Sequence, residues 1–202
     1  DFYKALLRGD GSDLAFFVAD VSGKGIAASL LTASLEALSA LPLEGNDPPD
    51  RICEQVGTLL FKRTPPEKYA TAFLGILEPS TGRLRWTNAG HNPALLLRAS
   101  GEAEWLKSNG VPLGLILGAR YREGDLTMAA GDTLLVYTDG ITEALNPEEE
   151  EFGENGLVEA ASRHRHLPLR EMAAGLERDL DAFARGVPFH DDRTLVIVRR
   201  SL

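Results

Sequence analysis

Cysteine is almost missing from this 202-residue chain. Cys53 stands alone, which excludes an intramolecular disulfide and any cysteine-built zinc cluster. Its neighbours Ile52 and Val56 place it on the apolar face of a helix, as a buried structural thiol rather than a nucleophile. Basic charge is short as well. Lys and Arg number 21 against 30 Asp and Glu, a net charge of −9, whereas a nucleic-acid surface carries a basic face. No unbroken apolar run of about 18 residues occurs, so no membrane span is expected, and no secretory signal is visible. Glu148 to Glu151 is a short acidic run of the kind found in solvated loops. Asp1 stands where an initiator Met would be, so the sequence is expected to be a piece excised from a longer protein.

What is present suits a soluble domain with a sizeable core: 44% hydrophobic and 25% charged residues. Leu14 to Ala19 is a continuous apolar run between Asp13 and Asp20, the pattern of a strand buried on both faces. Ile26, Leu30, Leu31, Leu35 and Leu38 then recur at helical spacing. That helix is expected to stop at Pro42 and the segment 44–49. A second helix, capped by Asp50, buries Ile52, Val56, Leu59 and Leu60. Strands are expected at 70–77 and 83–89, joined by a Pro- and Gly-bearing hairpin loop, then at 94–98, 104–107 and 133–138. Helical patterns at 156–161 and 169–184 precede a closing strand at 194–199. Helices grouped outside a block of hairpin-linked strands predict an α+β fold in one domain, residues 1–202, rather than a doubly wound parallel sheet.

Two acidic turns carry the chemistry. Asp20-Val21-Ser22-Gly23-Lys24-Gly25 and Tyr137-Thr138-Asp139-Gly140-Ile141-Thr142-Glu143 each follow a buried strand and open a helix. A third corner, His190-Asp191-Asp192-Arg193-Thr194, precedes the last strand, and the chain begins Asp1-Phe2-Tyr3. Carboxylates fixed at strand ends can converge, and like charges then repel unless cations or protons are present. Oxygen-rich sites of this kind suit Mg²⁺ or Mn²⁺, so a metal-dependent enzyme is the first reading. Ser22, Gly23 and Lys24 form a turn able to present backbone N–H groups to phosphate. It is no P-loop, because Gly25 follows Lys24 where Ser or Thr is required. An aspartyl-phosphate mechanism fails too, since Tyr137 occupies the place of its nucleophilic Asp. His91 is open to two readings, a residue near the site or a loop histidine bonded to backbone.

In order, Asp1-Phe-Tyr3, Asp20-Val-Ser-Gly-Lys-Gly25, Asn88-Ala-Gly-His-Asn-Pro93, Tyr137-Thr-Asp-Gly-Ile-Thr-Glu-Ala144 and Asp191-Asp-Arg-Thr-Leu-Val-Ile-Val198 resemble the type 2C metal-dependent serine/threonine phosphatases. The closest resemblance is to the bacterial SpoIIE/RsbU-like branch. It implies a four-layer αββα sandwich, two central, mostly antiparallel sheets flanked by helices, with a dinuclear Mn²⁺ or Mg²⁺ centre. Carried over by residue, Asp20 resembles the carboxylate bridging both metals, and Asp139 and Asp191 resemble ligands of the first. Asp1 and the carbonyl of Val21 resemble ligands of the second. Asp20 and Asp139 would thus be the catalytic pair, and whether Asp191 or Asp192 is the donor stays open. The family's eukaryotic general-acid histidine is replaced here by Ser22, and no basic clamp for the substrate phosphate is evident. The resemblance further implies a phosphorylated anti-anti-sigma (STAS) substrate, control by an upstream sensory or receiver domain, and a cytoplasmic location. A non-catalytic regulatory module of the same fold is the competing reading.

Overall fold

The computed structural model describes residues 1–9, 11–65 and 67–201. Along the chain run β1 (Phe2–Arg8), β2 (Asp13–Val21), α1 (Ile26–Glu44), α2 (Pro49–Arg63), β3 (Ala70–Glu78), β4 (Arg83–Ala89), β5 (Ala94–Leu97) and β6 (Ala103–Leu106). After them come β7 (Gly124–Thr127), β8 (Thr133–Tyr137), α3 (Asp139–Thr142), α4 (Gly153–His164), α5 (Leu169–Ala184) and β9 (Leu195–Arg199). These elements make two compact units, each built from two stretches of chain. The first takes Asp1–Pro93 and Lys107–Met128; the second takes Ala94–Leu106 and the residues from Ala129 onward.

In the first unit an antiparallel sheet runs β1-β2-β3-β4-β7. Residues Ala15 to Ala19 of β2 are all at most 1% exposed, which is why that strand reads as an apolar run rather than an alternation. Ala15, Phe17, Ala19 and Val21 pack with Leu31, Leu35 and Leu38 of α1 and Ile52, Val56 and Leu60 of α2. On the sheet's other face Phe16, Phe73 and Trp86 stack, with ring centroids 6.3 and 5.8 Å apart. Gly75 lies in register between Phe16 and Trp86. A Cβ there would come 2.1 Å from the Phe16 ring, so the stack exists because that position has no side chain.

The first helix ends at the start of the expected segment 44–49, but it departs from expectation at Pro42 and in its first turns. Pro42 lies inside α1, in its last turns, and the helix runs on to Glu44. Proline deletes only its own N–H bond there, while the buried Arg8 serves the chain end. Its Nε donates to the Leu43 carbonyl at 3.1 Å and its Nη2 to the carbonyls of Gly45 and, at 2.9 Å, Asp47. Ile26 and Leu30, expected on the buried face, are exposed, as is Leu41. By length and composition α1 could cross a membrane, yet Leu31, Leu35, Leu38 and Leu43 belong to the unit's core and Ser29, Thr32, Ser34, Glu36 and Ser39 interrupt the apolar run. Asp50 sits in the first turn of α2, not at its cap, which is Pro48.

The second unit's antiparallel sheet runs β6-β5-β8-β9. Leu157, Ala160 and Ala161 of α4 and Met172, Leu176 and Leu180 of α5 cover Leu95, Leu97, Leu135 and Tyr137. Helix α4 begins three residues before the expected Gly156. An ion network pins the strand ends. The Arg98 guanidinium holds Glu104 at 2.7 Å and Asp132 at 2.8 Å, while Asp132 accepts the Ala99 and Ala129 N–H groups, both at 2.8 Å. Burial pushes the Asp132 carboxyl up, but these donors outweigh it and leave its pKa below the usual carboxylate value.

Candidate metal centre

Each unit brings part of the expected donor set together by ordinary strand pairing. In the first unit Phe2 pairs with Ala19, and the same register sets Asp1 across from Asp20. On its other side Asp20 pairs with Thr71 of β3. Thr71 Oγ1 lies 2.8 Å from His91 Nδ1, and a bridge between Ala72 and Gly90 draws the Asn88–Pro93 loop alongside β3. The His91 N–H donates to Asn88 Oδ1 at 2.7 Å. His91 is therefore a buried loop histidine, bonded to side chains and one residue removed from Asp20.

Beyond Asp20 the strand ends in a staple. The Ser22 N–H donates to the Tyr69 carbonyl at 2.9 Å, and Ser22 Oγ accepts the Tyr69 N–H at 3.1 Å. Gly23 and Gly25 follow with φ of +92° and +77°, conformations that residues with a Cβ adopt only at a cost. Gly25 caps α1 with no side-chain hydrogen bond, and Gly23, Lys24 and Gly25 are all exposed. Lys68 stands over this turn, its Nζ 3.0 Å from where a Cβ on Gly23 would lie. No local pattern points to this ammonium, because 45 residues separate it from Gly23. Its one legible cue is that residues 68 and 69 immediately precede β3, the strand that pairs with β2.

In the second unit the two acidic corners are tied to each other. The Thr138 N–H donates to the Thr194 carbonyl at 3.1 Å, and the Thr194 N–H returns to Thr138 Oγ1 at 3.0 Å. These bonds set the single helical turn α3, with Asp139 at its start, beside residues 191–193. A Cβ on Gly140 would sit 2.2 Å from the Asp192 carbonyl oxygen, so only glycine permits the approach. The Asp191 carboxylate accepts the Asp192 N–H at 2.9 Å. Burial, and then the charges of Asp139, Glu151 and Asp191, push the Glu143 carboxyl above its ordinary pKa. Glu143 was quoted in the motif but not singled out; it lies one turn beyond Asp139.

The expected donors are oxygens throughout, four carboxylates and one main-chain carbonyl, and the Glu143 carboxyl beside two of them is held above its ordinary pKa. That chemistry fits hard divalent cations. Among the described residues, no three Asp, Glu, His or Cys side chains form a ready-made metal-holding group.

Two antiparallel sheets with flanking helices and acidic corners at strand ends define the fold of PP2C-type phosphatase domains. The SiaA PP2C domain of Pseudomonas aeruginosa shares it at a TM-score of 0.86 and 21% identity, over 98% of this chain and 79% of that one. The RsbU and RsbW domains of a Mycobacterium tuberculosis protein match at 0.82 and 26%, over 100% and 55%. RsbX, solved in complex with magnesium, matches at 0.69 and 17%, over 96% and 85%. The chain belongs to the SpoIIE family (Stage II sporulation protein E), which matches residues 10–201. Among curated relatives, Protein IcfG of Synechocystis is 26% identical and phosphoserine phosphatase RsbU of Bacillus subtilis 24%, both over the whole of this chain. The chain spans 36% and 59% of their respective lengths.

Proposed function

We propose that this chain is the catalytic domain of a protein-serine/threonine phosphatase that uses two divalent cations, Mn²⁺ or Mg²⁺. The observation that carries the reading is the fixing of acidic side chains at strand ends in both units, in a SpoIIE-family fold. Asp1, Asp20 and the Val21 carbonyl, with Asp139 and Asp191, are the donors we assign. Asp191 is preferred to Asp192 because its charge acts with that of Asp139 on Glu143, while Asp192 turns its carbonyl to Gly140.

When bound, such cations lower the pKa of a water and offset phosphoryl charge for in-line attack. The chain's own residues do the positioning. Strand pairing on both sides of Asp20 fixes its main chain, and the Ser22–Tyr69 bonds hold the following turn open. Lys68 supplies a point charge to a phosphoryl oxygen, the clamp that local sequence did not reveal. Ser22 is committed to the staple, so it positions the turn rather than moving protons.

The substrate class we assign is a phosphoserine or phosphothreonine protein, of the STAS anti-anti-sigma type, in the cytoplasm. The phosphoserine part draws on the likeness to RsbU, a phosphoserine phosphatase; the STAS type and the location draw on the resemblance of the sequence motifs. The greater length of the relatives leaves room for an upstream sensory or receiver domain. A phosphoserine peptide assay with Mn²⁺ tests the proposal: turnover should vanish in excess chelator and in Asp20→Ala. Equal turnover in chelator overturns it. The second reading, a non-catalytic module, draws on the absence of a ready-made metal group among the described residues. Calorimetric titration separates the two, since a module of that kind shows no Mn²⁺ binding at millimolar concentration.

A further inference from the structure

A cavity lies within the second unit, at the opposite end of β8 from Asp139. It has a volume of about 150 Å³ and is lined by Leu97, Arg98, Ala99, Gly131, Thr133, Arg165, His166 and Arg199. From Thr133 to Tyr137 the strand covers roughly 13 Å at about 3.3 Å per residue, so this cavity is separate from the acidic corner. Three arginines line it in a protein whose net charge is −9.

Only one of the three is balanced. Arg98 is matched by Glu104 and Asp132. Arg199 spends its donors on neutral acceptors: Nε on Thr133 Oγ1 at 2.8 Å, Nη1 on the Leu167 carbonyl at 2.7 Å and Nη2 on Met172 Sδ at 3.2 Å. Arg165 donates from Nη1 to the Ser162 carbonyl at 3.0 Å, while its Nε is buried with no hydrogen-bond partner. Buried donors and charges are ordinarily matched. Here two arginines without a carboxylate partner among the described residues line a cavity large enough for phosphate, and one of them carries an orphaned Nε.

We infer that this cavity is a binding site for a small tetrahedral oxyanion, inorganic phosphate or the phosphoryl group of a small phosphomonoester. The guanidinium of Arg165, rich in donors and without a carboxylate, suits the oxygens of such an anion, and the anion balances the charge of Arg199. The inference is independent of the proposed reaction, because it uses no metal donor and no residue of the acidic corners.

The test uses the whole chain in excess chelator, which removes metal-dependent phosphate binding. Inorganic phosphate is titrated while ³¹P line width and the unfolding temperature are followed, with sodium chloride at matched ionic strength as the reference. Saturable broadening with a rise in unfolding temperature beyond chloride is expected. Arg165→Gln should weaken binding about tenfold, the cost of one charge-assisted bond. Arg165→Lys keeps the charge but lacks Nε, and supplies the same comparison if the glutamine variant fails to fold. Glycerol phosphate distinguishes the sources: tighter binding than phosphate assigns the site to a phosphomonoester, weaker binding to the free ion. Acetate binding as tightly as phosphate, or unchanged binding in both Arg165 variants, overturns the inference.

Discussion

The turns after Asp20 and around Asp139 look alike in sequence, an acid and a glycine between a buried strand and a helix, but their glycines answer different physical demands. Gly23 is exposed and held at φ +92°; its need is conformational, and the nearest atom a Cβ would meet is the end of a flexible lysine. Gly140 is buried, has no positive φ, and lies against the Asp192 main chain. Its need is space. The first turn feeds a 19-residue helix whose outer side is exposed, and the second a single turn locked by two threonine bonds. The first corner is therefore built to be reached and the second to stay put.

Five changes would break or sharpen that comparison. The largest effect is expected at the ligands: Asp20→Ala and Asp139→Ala should each lower Mn²⁺-dependent turnover by more than about a hundredfold, beyond the usual loss for outer-shell residues. A variant of either that keeps most of its kcat would remove that corner from the reaction. Next comes the glycine pair. Gly140→Ala should destabilise the protein by about 2–3 kcal/mol through overpacking, against about 1 kcal/mol for the left-handed strain of Gly23→Ala. Denaturant melts reversing that order would mean the two corners have been misread. Lys68→Ala should raise KM for a phosphoserine peptide about tenfold with a smaller change in kcat, and Lys68→Arg should restore most of it. A change confined to the melting temperature would make Lys68 structural.

Acid should separate the units through Asp132. Its folded pKa is depressed, so its contribution is present above the unfolded value of about 3.9 and is lost as pH falls through the lower folded value. Asp132→Asn should melt earlier at pH 7 and show a flatter loss of stability as pH falls below about 4. The smallest effect belongs to Glu143. Its carboxyl is raised, so its ionised form disfavours folding at neutral pH. Glu143→Gln should stabilise the metal-free protein by about 0.5 kcal/mol at this exposed position, and added Mg²⁺ should narrow the gap.

Much of the architecture was legible because burial writes itself into the sequence. Leu14–Ala19, Ala70–Leu77 and Thr133–Tyr137 are buried strands that read as apolar runs. Two strands were not legible. β1 enters as an edge strand of mixed burial, and the four-residue β7 carries Gly-Asp-Leu-Thr with no apolar run. Their pairing partners, rather than their composition, make them strands. Pro42 misled for a similar reason: its local veto on helix is overridden where Arg8 caps the carbonyls beyond it.

The sequence by itself determined which apolar runs are buried strands and which acids stand at strand ends, since these follow from hydrophobic runs and from glycine's freedom within a few residues. Tertiary structure alone decided that Lys68 covers Gly23, that Gly140 yields to Asp192, and that Arg165 and Arg199 share a cavity without a carboxylate. Each of those pairings joins residues more than 30 positions apart, and their contact depends on strand register and packing, which no local pattern encodes.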